Sequence, residues 1–173
     1  MGLFGDERFL NQREKDLAKT VFKNSISFDN VLLGNRTSPV GAPCTTYKYI
    51  DEIVGDYFIM HMGLAAFSDA TSTGYISSGY KAEIRSTFIH ELTHVWQGQH
   101  SWMPGAYQLK SLWSQGCALV TTGDRGGAYR YKSGEAWEAY NVEQQAAIVE
   151  DWFKAGLSES DERFKYIKDN IRK

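Results

Sequence analysis

Thr87-Phe88-Ile89-His90-Glu91-Leu92-Thr93-His94-Val95-Trp96 is the stretch on which the fold turns. Apolar residues recur here at helical spacing, and the pattern predicts a helix from Lys81 to Gly98. At about 100° per residue, with His90 set to zero, His94 falls near 40° and Glu91 near 100°. Ile84, Phe88, Ile89, Leu92, Val95 and Trp96 fall between about 120° and 260° on the same wheel. The two arcs do not overlap. One face can therefore enter a core while the other presents two imidazoles and a carboxylate.

The surrounding sequence supplies partners for that helix. A second helical pattern runs from Gly134 to Gly156, and both stretches end at a glycine, a common C-terminal stop. Asn11 can cap a helix through Phe22, with Glu14 three residues later and Leu17, Ala18, Val21 and Phe22 on its apolar side. Ile26 to Leu33 reads as a strand closed by Gly34-Asn35, and Arg36 to Thr46 as a loop. Asp56 to Met62 and Tyr75 to Ser78 are further strand candidates, forming a hairpin or a sheet edge. Gln99 to Ser133, with Pro104 and several glycines, reads as a long loop holding a strand at Ala128 to Tyr131. Glu162 to Ile171 predicts a last helix. Strands early and helices later indicate an α+β fold: a small sheet packed against the His-Glu-x-x-His helix and a second, glutamate-bearing helix.

A chain of 173 residues has room for one core, so 1–173 is read as a single domain. Its 42% hydrophobic content can build that core without disulfides. The 19 Lys+Arg and 21 Asp+Glu nearly cancel, which removes the basic footprint of a nucleic-acid binder. Aromatics at 14% argue against disorder. No apolar run approaches the length of a membrane span. The opening Met1-Gly2-Leu3-Phe4-Gly5-Asp6 lacks the basic and apolar regions of a secretory signal, so synthesis in the cytoplasm is expected. Asp6 also stands where a myristoylation motif needs Ser or Thr. Cys44 and Cys117 can pair or stay reduced, and their spacing matches no zinc ribbon or redox site.

Histidines at i and i+4 on one helix face can grip a single Zn²⁺. The bland alternatives are two partly buried histidines bonded locally, or a structural zinc site, which usually has four protein ligands. A catalytic zinc needs a third protein ligand and one open position. His100 has the spacing of the third histidine of the metzincin motif, yet position 97 is Gln where that motif has glycine. No methionine lies far enough downstream for a Met-turn either. Glu143 is the better candidate, because Ala136, Ala139, Ala146 and Ala147 lie within about 60° of it at helical spacing. A small-residue face lets another helix come close. Glu150 lies near the same face, about 10 Å along. With a metal in place, Glu91 is positioned to take the proton of an activated water and pass it to a leaving amine. Tyr129, Tyr131 and His100 are candidate oxyanion or substrate contacts, and Tyr75 to Ser78 could hold an extended peptide as a sheet edge.

Three runs carry a family resemblance: Phe88-Ile-His-Glu-Leu-Thr-His-Val-Trp-Gln-Gly-Gln-His100, Tyr140-Asn-Val-Glu-Gln-Gln-Ala-Ala-Ile-Val-Glu-Asp-Trp-Phe153, and Leu17-Ala-Lys-Thr-Val-Phe22 with Ser25-Ile-Ser-Phe28. They resemble bacterial zincin-like, gluzincin-type metallopeptidases, a group that includes the carboxy-terminal metallopeptidase domain of type VI secretion spike (valine-glycine repeat, VgrG) proteins. The resemblance touches both ends and the centre of the chain. It implies a zinc metallopeptidase with His90, His94 and Glu143 as ligands and Glu91 as general base and acid. It also implies an antibacterial effector in the periplasm of a target cell, with a peptide or protein substrate. Secretion-machinery components and a cognate immunity protein would be its partners. No spike module is visible, so a free-standing relative is expected. The rival expectations are a catalytically inactive binding domain stabilised by its metal, and an amidase acting on cell-wall peptides.

Overall fold

The computed structural model describes residues 6–38, 41–49, 56–77, 81–101 and 129–173. Among these residues four strands form one mixed sheet: β1 (Glu7–Phe9), β2 (Val31–Gly34), β3 (Cys44–Tyr49) and β4 (Asp56–His61), in the order β1-β2-β4-β3. β2 and β4 run parallel with Val31 opposite Phe58, and β3 lies antiparallel to β4 with Cys44 opposite His61. Because side chains alternate across a strand, Val31, Leu33, Phe58 and Met60 all point to one face, where they join the main core.

The described α-helices are α1 (Gln12–Phe22), α2 (Gly63–Ser68), α3 (Ile84–His100), α4 (Val142–Lys154) and α5 (Phe164–Tyr166, continued by a wider π turn through Ile171). α1 begins as expected at Asn11, where Asn11 and Glu14 cap each other's backbone in a reciprocal box. Glu14 is fully buried and accepts both terminal nitrogens of Arg8, which ties β1 to α1. Phe88, Ile89, Leu92 and Val95 of α3 are fully buried with Val149 and Trp152 of α4 in the same core. Arg172 closes the chain onto α1 by donating to the carbonyls of Val21 and Thr20.

Several elements differ from their sequence expectation. The strand at Ile26 to Leu33 shrinks to Val31–Gly34, because the side-chain amide of Gln99 takes both the N–H and the C=O of Ser27. A backbone held by a side chain in this way is not available to a sheet ladder. The expected loop at 36–46 gives way to β3 from Cys44 onward. Tyr75 forms only an isolated bridge to Glu83, so no strand runs there among the described residues, and Ser78 lies outside them. Likewise Tyr129 sits at a helical turn and 130–131 are irregular, so the expected strand at Ala128 to Tyr131 is absent over 129–131.

The two long helices also shift. α3 starts at Ile84 and passes through Gly98 to His100, since an isolated glycine costs a helix only about 1 kcal/mol. The expected helix at 134–156 breaks in two. A 3-10 turn at Trp137–Ala139 precedes α4, whose first turn is capped reciprocally by Asn141 and Gln144. Ala136 and Ala139 therefore lie off the Glu143 face, while Ala146 and Ala147 remain on α4 and are buried. Gly156, at φ +84, follows the end of α4. Among the described residues, no helix is long and apolar enough to cross a membrane.

Candidate metal centre

α3 and α4 pack against each other, and their contact assembles the site. His90 and His94 stand one turn apart on α3, with ring centroids 5.0 Å apart. Glu143 enters from the first turn of α4, fixed there by the Asn141–Gln144 cap. Its Oε2 lies 3.4 Å from Nε2 of His90 and 3.4 Å from Nε2 of His94. Two atoms each about 2.0–2.1 Å from a tetrahedral zinc are separated by about 3.3–3.4 Å, so Glu143 Oε2 stands from each imidazole nitrogen at the spacing such an ion requires. His90, His94 and Glu143 are only 7%, 6% and 8% exposed. A carboxylate this buried needs a cation beside it, either protons on the imidazoles or a metal.

Without a metal, protons fill that role. Burial opposes an imidazolium at His90, but hydrogen bonds to Glu143 and Glu150 outweigh it and raise the pKa to about 10. Burial likewise opposes charge on His94, and the Glu143 carboxylate prevails, so its pKa is raised too. For Glu143, burial pushes the pKa up, yet the two imidazoles hold the carboxyl far below the usual carboxylate range. A metal ion binding here would displace those protons.

The nitrogens turned away from Glu143 are held as well. Nδ1 of His90 is 3.1 Å from Oε2 of Glu150, and Lys154 approaches the other Glu150 oxygen at 2.9 Å. Burial pushes Glu150 up, but His90 and Lys154 bring its pKa down to about 2. Nδ1 of His94 is 2.8 Å from Oε1 of Gln97. Outer partners of this kind fix ring orientation and leave Nε2 for a metal. Glu91 is buried beside the trio, and its Oε2 accepts a 2.6 Å hydrogen bond from the Thr45 hydroxyl on β3.

Of the residues singled out from sequence, His90, His94 and Glu143 come together as a group able to hold a metal ion. Glu150 does not join them as a ligand; it backs His90 instead. His100 is turned away, with Nδ1 bonded to the Trp96 carbonyl at 2.9 Å and its ring stacked on Trp96 at 4.6 Å. The Tyr129 ring lies 5.7 Å from His90. The Tyr131 hydroxyl donates to Asp151, and burial, ahead of other influences, pushes its pKa up to about 12. Cys117 lies outside the described residues. Thr45 and Gln97 join the site without a local sequence signal: the first lies in the stretch expected to be a loop, and the second stands where the metzincin motif has glycine.

Fold and site together define a class: a mixed α+β domain whose two principal helices bring two histidines and a glutamate to one buried point. Over 171 residues, 95% of its length, the chain is 31% identical to the type VI secretion system spike protein VgrG2b of Pseudomonas aeruginosa. It spans 15% of that relative's length. Among solved structures it resembles the effector domain of Pseudomonas aeruginosa VgrG2b, with a TM-score of 0.54 and 26% identity, covering 96% of this chain and 84% of that one. No protein-family model matches the chain. The similarity to the VgrG2b effector domain thus extends across nearly the whole chain.

Proposed function

We propose that this chain is a zinc-dependent metallopeptidase and serves as a type VI-type effector toxin. The observation that carries the reading is the placement of two imidazole nitrogens, each 3.4 Å from one carboxylate oxygen, at a buried contact between two helices. His90, His94 and Glu143 would hold the ion. A zinc ion held there supplies a Lewis acid that activates water and polarises a carbonyl.

The chain's own residues then carry the protons. Glu91 follows His90 directly on α3, and the Thr45 hydroxyl holds its carboxylate by Oε2. The anchor restricts the Glu91 rotamer and leaves Oε1 to accept a proton and return it to a leaving amine. β3, which supplies Thr45, is the outer strand of the sheet order and pairs only with β4 among the described residues. An extended peptide laid along that edge would bring its carbonyls toward Glu91, which favours peptide bonds as substrate. The edge expected at Tyr75 to Ser78 is thereby replaced by β3.

The effector role rests on the similarity to the VgrG2b effector domain, and it entails delivery to a target cell and a cognate immunity protein. Glu91→Gln tests the chemistry. The variant should keep one zinc per chain and its fold, while peptide cleavage, or toxicity on directing the chain to the periplasm, falls about 10²- to 10⁴-fold. Full toxicity in this variant would favour a metal-stabilised binding domain.

A further inference from the structure

Gln97 joins the two helices of the metal centre through a single amide. Its Oε1 faces Nδ1 of His94 at 2.8 Å, while its Nε2 lies 3.0 Å from the carbonyl of Val142 and 2.9 Å from Oε1 of Gln145. Gln145 continues the chain by donating its own Nε2 to the carbonyl of Trp137 at 3.0 Å. A backbone carbonyl can only accept, so the Gln97 NH₂ must face Val142 and its oxygen must face His94. Nδ1 of His94 must then donate. When that imidazole is neutral, its lone pair is left on Nε2, the nitrogen that faces Glu143.

Val142 immediately precedes Glu143, so the peptide group leading into one ligand is held by the same amide that holds the ring of another. The Gln145–Trp137 bond extends the grip to the 3-10 turn ahead of the α4 cap. We infer that Gln97 and Gln145 form a positioning pair that sets the His94 tautomer and holds Glu143 opposite it, and so sets the affinity of the metal centre. This rests on the proposal that His90, His94 and Glu143 hold the metal. It also gives position 97 a role of its own, distinct from the glycine that a His100-ligated site would have there.

The test is zinc binding to the full chain, measured by competition with a chromophoric chelator and paired with thermal unfolding of the metal-free protein. Gln97→Met keeps the side-chain volume but removes both hydrogen-bonding functions, and should weaken zinc binding about 10- to 100-fold. Gln145→Met never touches His94, yet should weaken binding measurably, by less than Gln97→Met. In NMR spectra of the zinc-loaded protein, the Nδ1–H of His94 should exchange slowly with water in the wild type, where Gln97 accepts it, and measurably faster in Gln97→Met. A pair that merely glues helices would lower the metal-free unfolding temperature but leave zinc affinity within about twofold of wild type, and that result overturns the inference. If metal-free Gln97→Met does not fold, Gln145→Met decides by the same criterion. Wild-type protein that binds no zinc, or His94→Ala that binds as tightly as wild type, would instead overturn the metal centre itself, and the positioning role with it.

Discussion

His90 and His94 stand one turn apart and face the same carboxylate, yet opposite chemistry holds the nitrogens behind them. His90 backs onto Glu150, which Lys154 grips in turn, so a chain of charges runs from the site to a half-exposed ammonium. His94 backs onto the neutral amide of Gln97. A carboxylate makes the ring more basic and adds negative charge; an amide adds no charge but dictates direction. A divalent ion and Lys154 together are already neutralised by Glu143, Glu150 and the buried Glu91. A second carboxylate behind His94 would leave surplus negative charge in a buried place, which is costly. The difference teaches that one backing group balances charge and the other sets geometry.

The largest effect on this contrast is expected from Glu150→Ala, which leaves Nδ1 of His90 without its acceptor. Zinc affinity should fall about 10- to 100-fold in a chelator competition. Glu150→Gln makes the His90 side neutral, like its neighbour, and should recover most of that loss; equal weakness in both variants would show that charge matters more than direction on this side.

A second contrast lies in pH. In the metal-free chain, His90 has its pKa raised from 6.5 to about 10, so its contribution to stability is complete below 6.5 and is lost as pH rises through about 10. Glu150 is depressed from 4.5 to about 2, so its contribution is present above 4.5 and is lost as pH falls toward 2. Unfolding temperatures measured across this range should show both arms flattened in Glu150→Gln. Gln97→Met should shift the curve without changing its shape.

The smallest effect belongs to Lys154→Met. The Lys154 side chain is 48% exposed, and an ion pair so open to solvent is worth about 0–1 kcal/mol. Zinc affinity should stay within about threefold of wild type, and the difference should shrink further in high salt.

The helix bearing His90, Glu91 and His94 was legible because its signals are local: apolar spacing and a motif confined to five residues. Glu143 was legible by a less secure route. Ala146 and Ala147 do line its face, but Ala136 and Ala139 do not, because Asn141 ends the preceding turn and caps a new helix. Asparagine within a helical pattern was the available sign of that break. β3 escaped detection because Cys44-Thr45-Thr46-Tyr47-Lys48-Tyr49 has little apolar alternation and owes its place to pairing with β4. Thr45 was lost with it. Gln97, Gln145 and the backing role of Glu150 depend on how α3 meets α4, which no local pattern encodes.

The most direct test of the central claim is anomalous scattering at the zinc edge from crystals of the full chain grown with zinc. The expected result is a single strong peak about 2.0–2.2 Å from Nε2 of His90, Nε2 of His94 and the Glu143 carboxylate. A peak elsewhere with Glu143 turned away from both rings, or no peak at all, would contradict it.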